Sequence, residues 1–210
     1  MNSVADTIAR LATALSAPLP GRKAQRRFCP ELNYGRYFGV ADGDARKAAV
    51  LMLLYPDNHW HLLLTLRPQH LKEHGGQISL PGGTIETGEN VEQAATRECQ
   101  EELGIPAGEV RVLGRLSAIY LYNSNFVVTP IVGVVDRPPH LVPNRREVES
   151  VIHLPVTELV SEANVGIHTR DRNGIHFNSP HIQWRGHRIW GATAIMLGEL
   201  IAILNESEFL

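Results

Sequence analysis

The sequence holds only two cysteines in 210 residues, Cys29 and Cys99, and no CxxC spacing. That scarcity argues against a disulfide framework or a zinc site and fits a reducing compartment. There is no excess of either charge: 20 Lys and Arg stand against 22 Asp and Glu, a formal net charge of -2. A chain so balanced has no electrostatic pull toward nucleic acid or an anionic membrane. The ten histidines could tilt that balance at mildly acidic pH, but they are scattered. No apolar run reaches the roughly 18–20 residues of a membrane span, and the apolar stretch near the C-terminus is interrupted by Glu199. Asp6 stands ahead of Arg10 without a charged-then-apolar leader pattern, and the final Glu-Phe-Leu is no peroxisomal address. The expected location is the cytoplasm.

What is present is an ordinary globular composition, 43% hydrophobic and 20% charged, enough for a core in one compact α/β domain. Val4, Ile8, Leu11, Ala12 and Leu15 recur at helical spacing and predict a short amphipathic helix over 4–16, ended by Pro18 and Pro20. Residues 21–47 are basic, then glycine-rich, and read as an extended lead-in. Apolar runs at 48–54 and 62–66 around Pro56-Asp57-Asn58 predict a hairpin, and glycine-rich 75–88 reads as loop. Strands are expected at 110–113, 117–122, 127–135 and 151–154, with one or two helical turns at 156–161. Residues 163–181 read as polar and turn-rich, and an apolar helix closes the chain from about 190 to 204. With no repeat and no linker, this order implies one mixed α/β domain.

The informative segment is 91–103, which predicts a helix with Asn90 as cap, Gln93 as its capping-box partner, and Gly104 and Pro106 as the stop. At about 100° per residue, Glu98 and Glu102 fall in the stripe of Val91, Ala94 and Ala95. Cys99 and Leu103 extend that stripe and Glu101 borders it. Gln93, Thr96, Arg97 and Gln100 are expected on the solvent side. A carboxylate in an apolar setting must take up a proton or be compensated. With no Lys or Arg expected on that face, three of them call for a cation from outside, and hard oxygen ligands suit Mg²⁺ or Mn²⁺. Pro81-Gly82-Gly83 adds a loop where backbone can approach phosphate or metal. The competing reading is an ordinary solvated acidic face; the stripe and the loop together favour metal.

Written out, Gly83-x5-Glu89-x7-Arg97-Glu98-Cys99-x-Glu101-Glu102-x-Gly104-Ile105 resembles the Nudix box at all nine specified positions over 23 residues. Cys99 takes a slot that usually holds an aliphatic. The resemblance implies an α/β/α sandwich around a mixed sheet, and metal-dependent cleavage of nucleoside diphosphates linked to another group. By it, Glu98 and Glu102 correspond to the main metal ligands, Glu101 to a further ligand or a base, and Glu89 and Arg97 to a structural ion pair.

Upstream, Leu63-Leu64-Thr65-Leu66-Arg67, Lys72, Gly76 and Leu80-Pro81-Gly82-Gly83 are similar to the signature of coenzyme A pyrophosphatases within that superfamily. Pro68 stands where Ser or Ala is usual, Lys72 where Arg is usual, and Leu80 where Phe is usual. Val128-Thr129-Pro130-Ile131-Val132-Gly133, Asn144 with Glu147-Val148, and Ile189-Trp190-Gly191 also resemble that subgroup. The likeness divides the chain into an N-terminal helix and lead-in, 1–47, and a Nudix hydrolase domain, 48–204.

It implies hydrolysis of coenzyme A or its derivatives to 3′,5′-ADP and 4′-phosphopantetheine. Glu101 and Glu147 are the two candidate bases, and Arg67, Lys72, Gly82 and Gly83 the candidate substrate contacts. The implied partner is a small nucleotide-like molecule, with no nucleic acid and no membrane; a homodimer stays open. Two rival readings are a Nudix pyrophosphatase acting on ADP-ribose, NADH or an oxidised nucleoside triphosphate, and a catalytically silent binding module, which the retained glutamates oppose. His70 and His74 read as loop histidines, Trp190 as a core residue docking the last helix, and Cys99 as buried and inert.

Overall fold

A computed structural model describes residues 3–32, 37–39, 41, 43–71, 74–207 and 209. Ser3 caps α1, Val4–Ser16, its Oγ accepting from the Asp6 amide. Ile8, Leu11 and Leu15 turn inward, while Val4 stays exposed. The next segment corrects the expected extended lead-in. Residues 21–28 coil, α2 spanning Gly21–Gln25 and a 3₁₀ turn covering Arg26–Phe28. The cause is distant in sequence. Phe28 is fully buried beside Gly198, where a Cβ would fall 2.9 Å from its ring, and Gln25 is buried against Glu199.

β1, Arg46–Pro56, and β2, Trp60–Leu66, form the expected hairpin with Tyr55 opposite His61. The glycine-rich stretch contributes two short strands, β3 (Ile78–Ser79) and β4 (Gly82–Thr84), before α2's successor α3, Val91–Leu103. Then follow β5 (Arg111–Arg115), β6 (Ile119–Leu121), β7 (Phe126–Val134), β8 (Ser150–Pro155) and the single turn α4 (Val156–Leu159).

These strands make one mixed sheet in the order β3-β2-β1-β7-β5, with β4 added to β1, β6 to β7 and β8 to β2. β1 runs parallel to β7 and antiparallel to β2 and β4. Its side chains alternate between faces, and both faces are apolar. Ala49, Leu51, Leu53 and Tyr55 meet Ala94, Ala95, Cys99 and Leu103 of α3. Ala48, Met52 and Leu54 join the larger cluster that holds α1 and the last helix, α5, Gly191–Glu206. Helices therefore cover the mixed sheet on both sides, as the family resemblance implies.

The polar stretch 163–181 is a second correction. It is no run of turns but β9 (Val165–Arg172) and most of β10 (Ile175–Trp184), joined by β11 (His187–Trp190) in a separate three-stranded antiparallel sheet. His, Arg and Asp on these strands mask the alternation that marks a strand by hydropathy. The turn was nonetheless written in: Asn173 and Gly174 both take positive φ, 54° and 79°, as a two-residue hairpin turn needs. Among the described residues, no helix is long and apolar enough to cross a membrane.

Candidate active site

The α3 helix is fixed at both ends by local chemistry. Asn90 Oδ1 accepts the Gln93 amide at 2.8 Å, Gln93 Oε1 accepts the Asn90 amide at 2.9 Å, and Gly104 ends the helix at φ 74°. α3 packs on β1, β4 and β7, so its glutamates meet the strand edge at Gly82 and Gly83. Gly82 pairs with Val50 and Gly83 with Ala49. A Cβ on Gly82 would fall 2.4 Å from the Ala49 carbonyl oxygen, and one on Gly83 would fall 2.4 Å from Oε1 of Glu98. Both positions need glycine for close approach, one to backbone and one to a carboxylate.

Glu102 is buried, its side chain beneath the loop, with the Gly82 amide 3.4 Å from its Oε1. Burial pushes its carboxyl up to about 8; Glu147 and Glu98 push the same way, and Gly82 and Arg67 oppose. Glu98 is half-buried and its carboxyl is also raised, first by burial, with Glu101 and Glu147 adding to the rise. Glu101 is mostly exposed at 56%. The three carboxyls thus lie together, and burial disfavours the anionic form of Glu98 and Glu102.

One expectation is overturned here. Arg97 does not stand apart on the solvent side. Its Nε donates to Glu89 Oε1 at 2.7 Å, its Nη2 to the Thr84 carbonyl at 3.0 Å, and its Nη1 to Glu98 at 3.0 Å and Glu101 at 3.2 Å. A long guanidinium side chain bends around the helix to reach carboxylates that its Cα direction faces away from. The acidic face thus does carry a cation. Thr96, also assigned to solvent, is buried, its hydroxyl bonded back to the Glu92 and Gln93 carbonyls.

As they lie, no three His, Cys, Asp or Glu side chains among the described residues are grouped closely enough to hold an ion. Arg97 draws Glu98 and Glu101 toward itself, while Glu102 stays under the loop. The donor chemistry still fits a hard divalent cation: three carboxylates on one helix side, two of them disfavoured as anions by burial, against a backbone without Cβ atoms.

The loop after β7 closes the far side. Val142 N donates to the Leu103 carbonyl at 2.8 Å and Asn144 N to the Glu102 carbonyl at 2.9 Å. Asn144 Nδ2 then donates to Glu147 Oε1 at 3.2 Å. Glu147 is exposed, yet close enough to raise both Glu98 and Glu102. Asn144 is a residue whose part the sequence reading missed; its signal was the Asn-x-x-Glu spacing, which suits an Asx turn followed by a side-chain contact.

Arg67 directly follows β2, its amide donating to the Gln77 carbonyl and its carbonyl accepting from the Gly76 amide. Its Nε is buried without a hydrogen-bond partner among the described residues, and its charge lowers the Glu102 carboxyl. Lys72 lies outside the described residues. His70 is exposed, and His74 sits at φ 57° with Nδ1 3.0 Å from Gln77 Oε1, so both belong to a loop. Cys99 is fully buried, and burial, more than Glu102, pushes its thiol up to about 12. Trp190 is half-buried at the end of β11, just ahead of α5.

Known proteins similar to this chain agree with its fold. The NUDIX domain pattern matches residues 45–173. Nudix hydrolase 3 of Caenorhabditis elegans is 28% identical over 211 residues, covering 90% of this chain and 88% of that protein. The uncharacterized Nudix hydrolase NudL of Yersinia pestis (strain Pestoides F) is 34% identical over 171 residues, covering 80% and 83%. A solved structure, the Nudix hydrolase RenU from M. smegmatis, is similar with a TM-score of 0.52 and 21% identity over 78% of this chain and 84% of that one, a likeness of fold. The chain therefore belongs to the Nudix family, hydrolases of pyrophosphate bonds that generally use divalent metal ions such as Mg²⁺ or Mn²⁺.

Proposed function

We propose that the protein hydrolyses the pyrophosphate bond of coenzyme A or its derivatives, releasing 3′,5′-ADP and 4′-phosphopantetheine. The observation that carries this reading is Arg67. It closes the Leu63–Arg67 run shared with coenzyme A pyrophosphatases, and its idle, buried Nε stands near the buried Glu102. A guanidinium donor left unpaired beside a carboxylate site is suited to a phosphate oxygen. Lys72, from the same signature, is the second cation for the substrate phosphates.

Glu98 and Glu102, joined by Glu101, are the residues that would hold Mg²⁺ or Mn²⁺, and such an ion supplies charge neutralisation of the pyrophosphate and a more acidic bound water. Glu147, held by Asn144, is favoured over Glu101 as general base, because Glu101 is already committed to Arg97. The base takes a proton from water as the water oxygen bonds one phosphorus. The bridging P–O bond breaks, and its electron pair stays on the departing phosphate. Gly82 and Gly83 let the backbone approach the phosphates, and the Glu89–Arg97 pair holds the loop to the helix. On this reading 48–204 is the catalytic unit, and α1 and α2 brace it through α5.

The test is a profile of the purified protein with Mg²⁺ or Mn²⁺ against coenzyme A, ADP-ribose, NADH and nucleoside triphosphates. The account expects kcat/KM for coenzyme A to lead by about tenfold, roughly 1.4 kcal/mol. Cleavage of ADP-ribose with none of coenzyme A would overturn it.

A further inference from the structure

The small sheet carries a cluster that the carboxylate site does not use. Register places Arg170 opposite Phe177, His168 opposite Ser179, Gly166 opposite His181, and His181 opposite Trp190, so these side chains share one face. Arg188, opposite Gln183, stands on the same face. His168 and His181 meet with their Nδ1 atoms 3.2 Å apart. Gly166 makes that possible, since a Cβ there would fall 2.8 Å from the His181 ring. The Arg170 guanidinium lies 4.1 Å from the Trp190 ring centre, and His168 stands edge-on to the same indole. Between the two histidines Ser179 is fully buried, and its Oγ has no hydrogen-bond partner among the described residues. A cavity of about 210 Å³ lies on the Arg170 side of the cluster, walled by Arg170, Phe177 and Tyr37 and also by Asp171 and Arg172.

Among the described residues, the charged side chains that register places on this face are the cations Arg170, Arg172 and Arg188. Neither Arg170 nor Arg188 has an ion-pair partner among the described residues, and Asp171 faces His176 from the opposite side of the sheet. Both imidazoles are held below their ordinary basicity, first by burial and then by Arg188. Guanidiniums, imidazoles and a hydroxyl without a partner among the described residues make this face suited to an anion.

We propose that this face, built from Arg170, Arg188, His168, His181 and Ser179 with Trp190 beside them, is a binding site for a phosphate group. Guanidiniums grip phosphate oxygens in pairs, an imidazole and a hydroxyl add donors, and the indole offers a stacking surface for whatever the phosphate is attached to. β11 packs against β3, which leads into the Pro81–Gly83 loop, so the site is tied to the strand that feeds the carboxylates. The phosphate is either a monoester carried by the substrate or a free phosphate acting as an effector. Only the choice of substrates below rests on the proposed coenzyme A activity.

The experiment has two arms. In the first, inorganic phosphate is titrated calorimetrically into the full chain in EDTA, which keeps metal from recruiting phosphate to the glutamates. One site is expected, weakened about tenfold or more in Arg170→Ala and in Arg188→Ala at unchanged Tm, with Ser179→Ala giving a smaller loss. Absence of binding to the unaltered protein, or binding by both Arg variants as tight as that of the unaltered protein, overturns the proposal. In the second arm, kcat/KM is measured for coenzyme A and dephospho-coenzyme A. A loss in the Arg variants confined to coenzyme A supports a substrate monoester. A response of dephospho-coenzyme A turnover to added phosphate, present in the unaltered protein and gone in the variants, supports an effector. If neither coenzyme is cut while the first arm succeeds, the coenzyme A reading falls and the phosphate site stands.

Discussion

The carboxylate of Glu98 lies where a side chain on Gly83 would have to go, 2.4 Å from the position of its missing Cβ. Gly83→Ala therefore pits a methyl group against the free end of a flexible side chain, which can swing away. The protein is expected to stay folded, with Tm changed by no more than a surface substitution causes, while Glu98 is displaced and kcat/KM falls by about tenfold or more. Gly82→Ala meets backbone instead, the Ala49 carbonyl and Val50 Cα, and is expected to cost stability by about 3 kcal/mol. Thermal melts and steady-state kinetics on the two variants separate the cases; equal Tm losses in both would refute the distinction.

Glu89→Gln removes the first partner of Arg97. Arg97 holds the Glu89 carboxyl below its ordinary 4.5, so the pair's stabilisation is present above that pH and is lost as pH falls through the depressed folded value. The urea midpoint of Glu89→Gln is expected to lie below that of the unaltered protein from pH 6 to 8, with the gap closing below about 4.5. A gap independent of pH would mean that the carboxyl's charge is not what matters.

Glu199 is fully buried on α5 and accepts four hydrogen bonds: from Gly21 N, Gln25 Nε2, Ser117 N and Ser117 Oγ, at 3.0, 2.8, 3.1 and 2.8 Å. Glu199→Gln puts an NH₂ where two of these donors point. Loss of the charge-assisted bonds is expected to lower stability by about 1–3 kcal/mol while kcat at saturating metal changes little. An unchanged urea midpoint would contradict the role of this carboxylate as the anchor of α2.

The extent of α3 was readable, because its caps, stop signal and apolar stripe are all local properties of the residues between Asn90 and Gly104. The central hairpin was readable for the same reason. Arg97 was misplaced because a helical projection gives the direction of a Cα–Cβ bond, not the reach of a guanidinium that turns back to Glu98 and Glu101. α2 was invisible because what orders it, Glu199, is 174 residues from Gln25. The β9–β10 hairpin was missed through its polar strands although Asn173-Gly174 marked the turn. Its side chains form the cationic face that only the strand register reveals.

The claim on which the rest depends is that Glu98 and Glu102 hold the metal. It is tested most directly by titrating Mn²⁺ into the unaltered protein, Glu98→Gln and Glu102→Gln, following free Mn²⁺ by electron paramagnetic resonance, with kcat/KM measured on the same samples. The account predicts that each variant stays folded, binds Mn²⁺ at least about tenfold more weakly, and loses at least about tenfold in kcat/KM, roughly 1.4 kcal/mol or more. Folded variants that bind Mn²⁺ as tightly as the unaltered protein, or keep more than about a tenth of its kcat/KM, would contradict it.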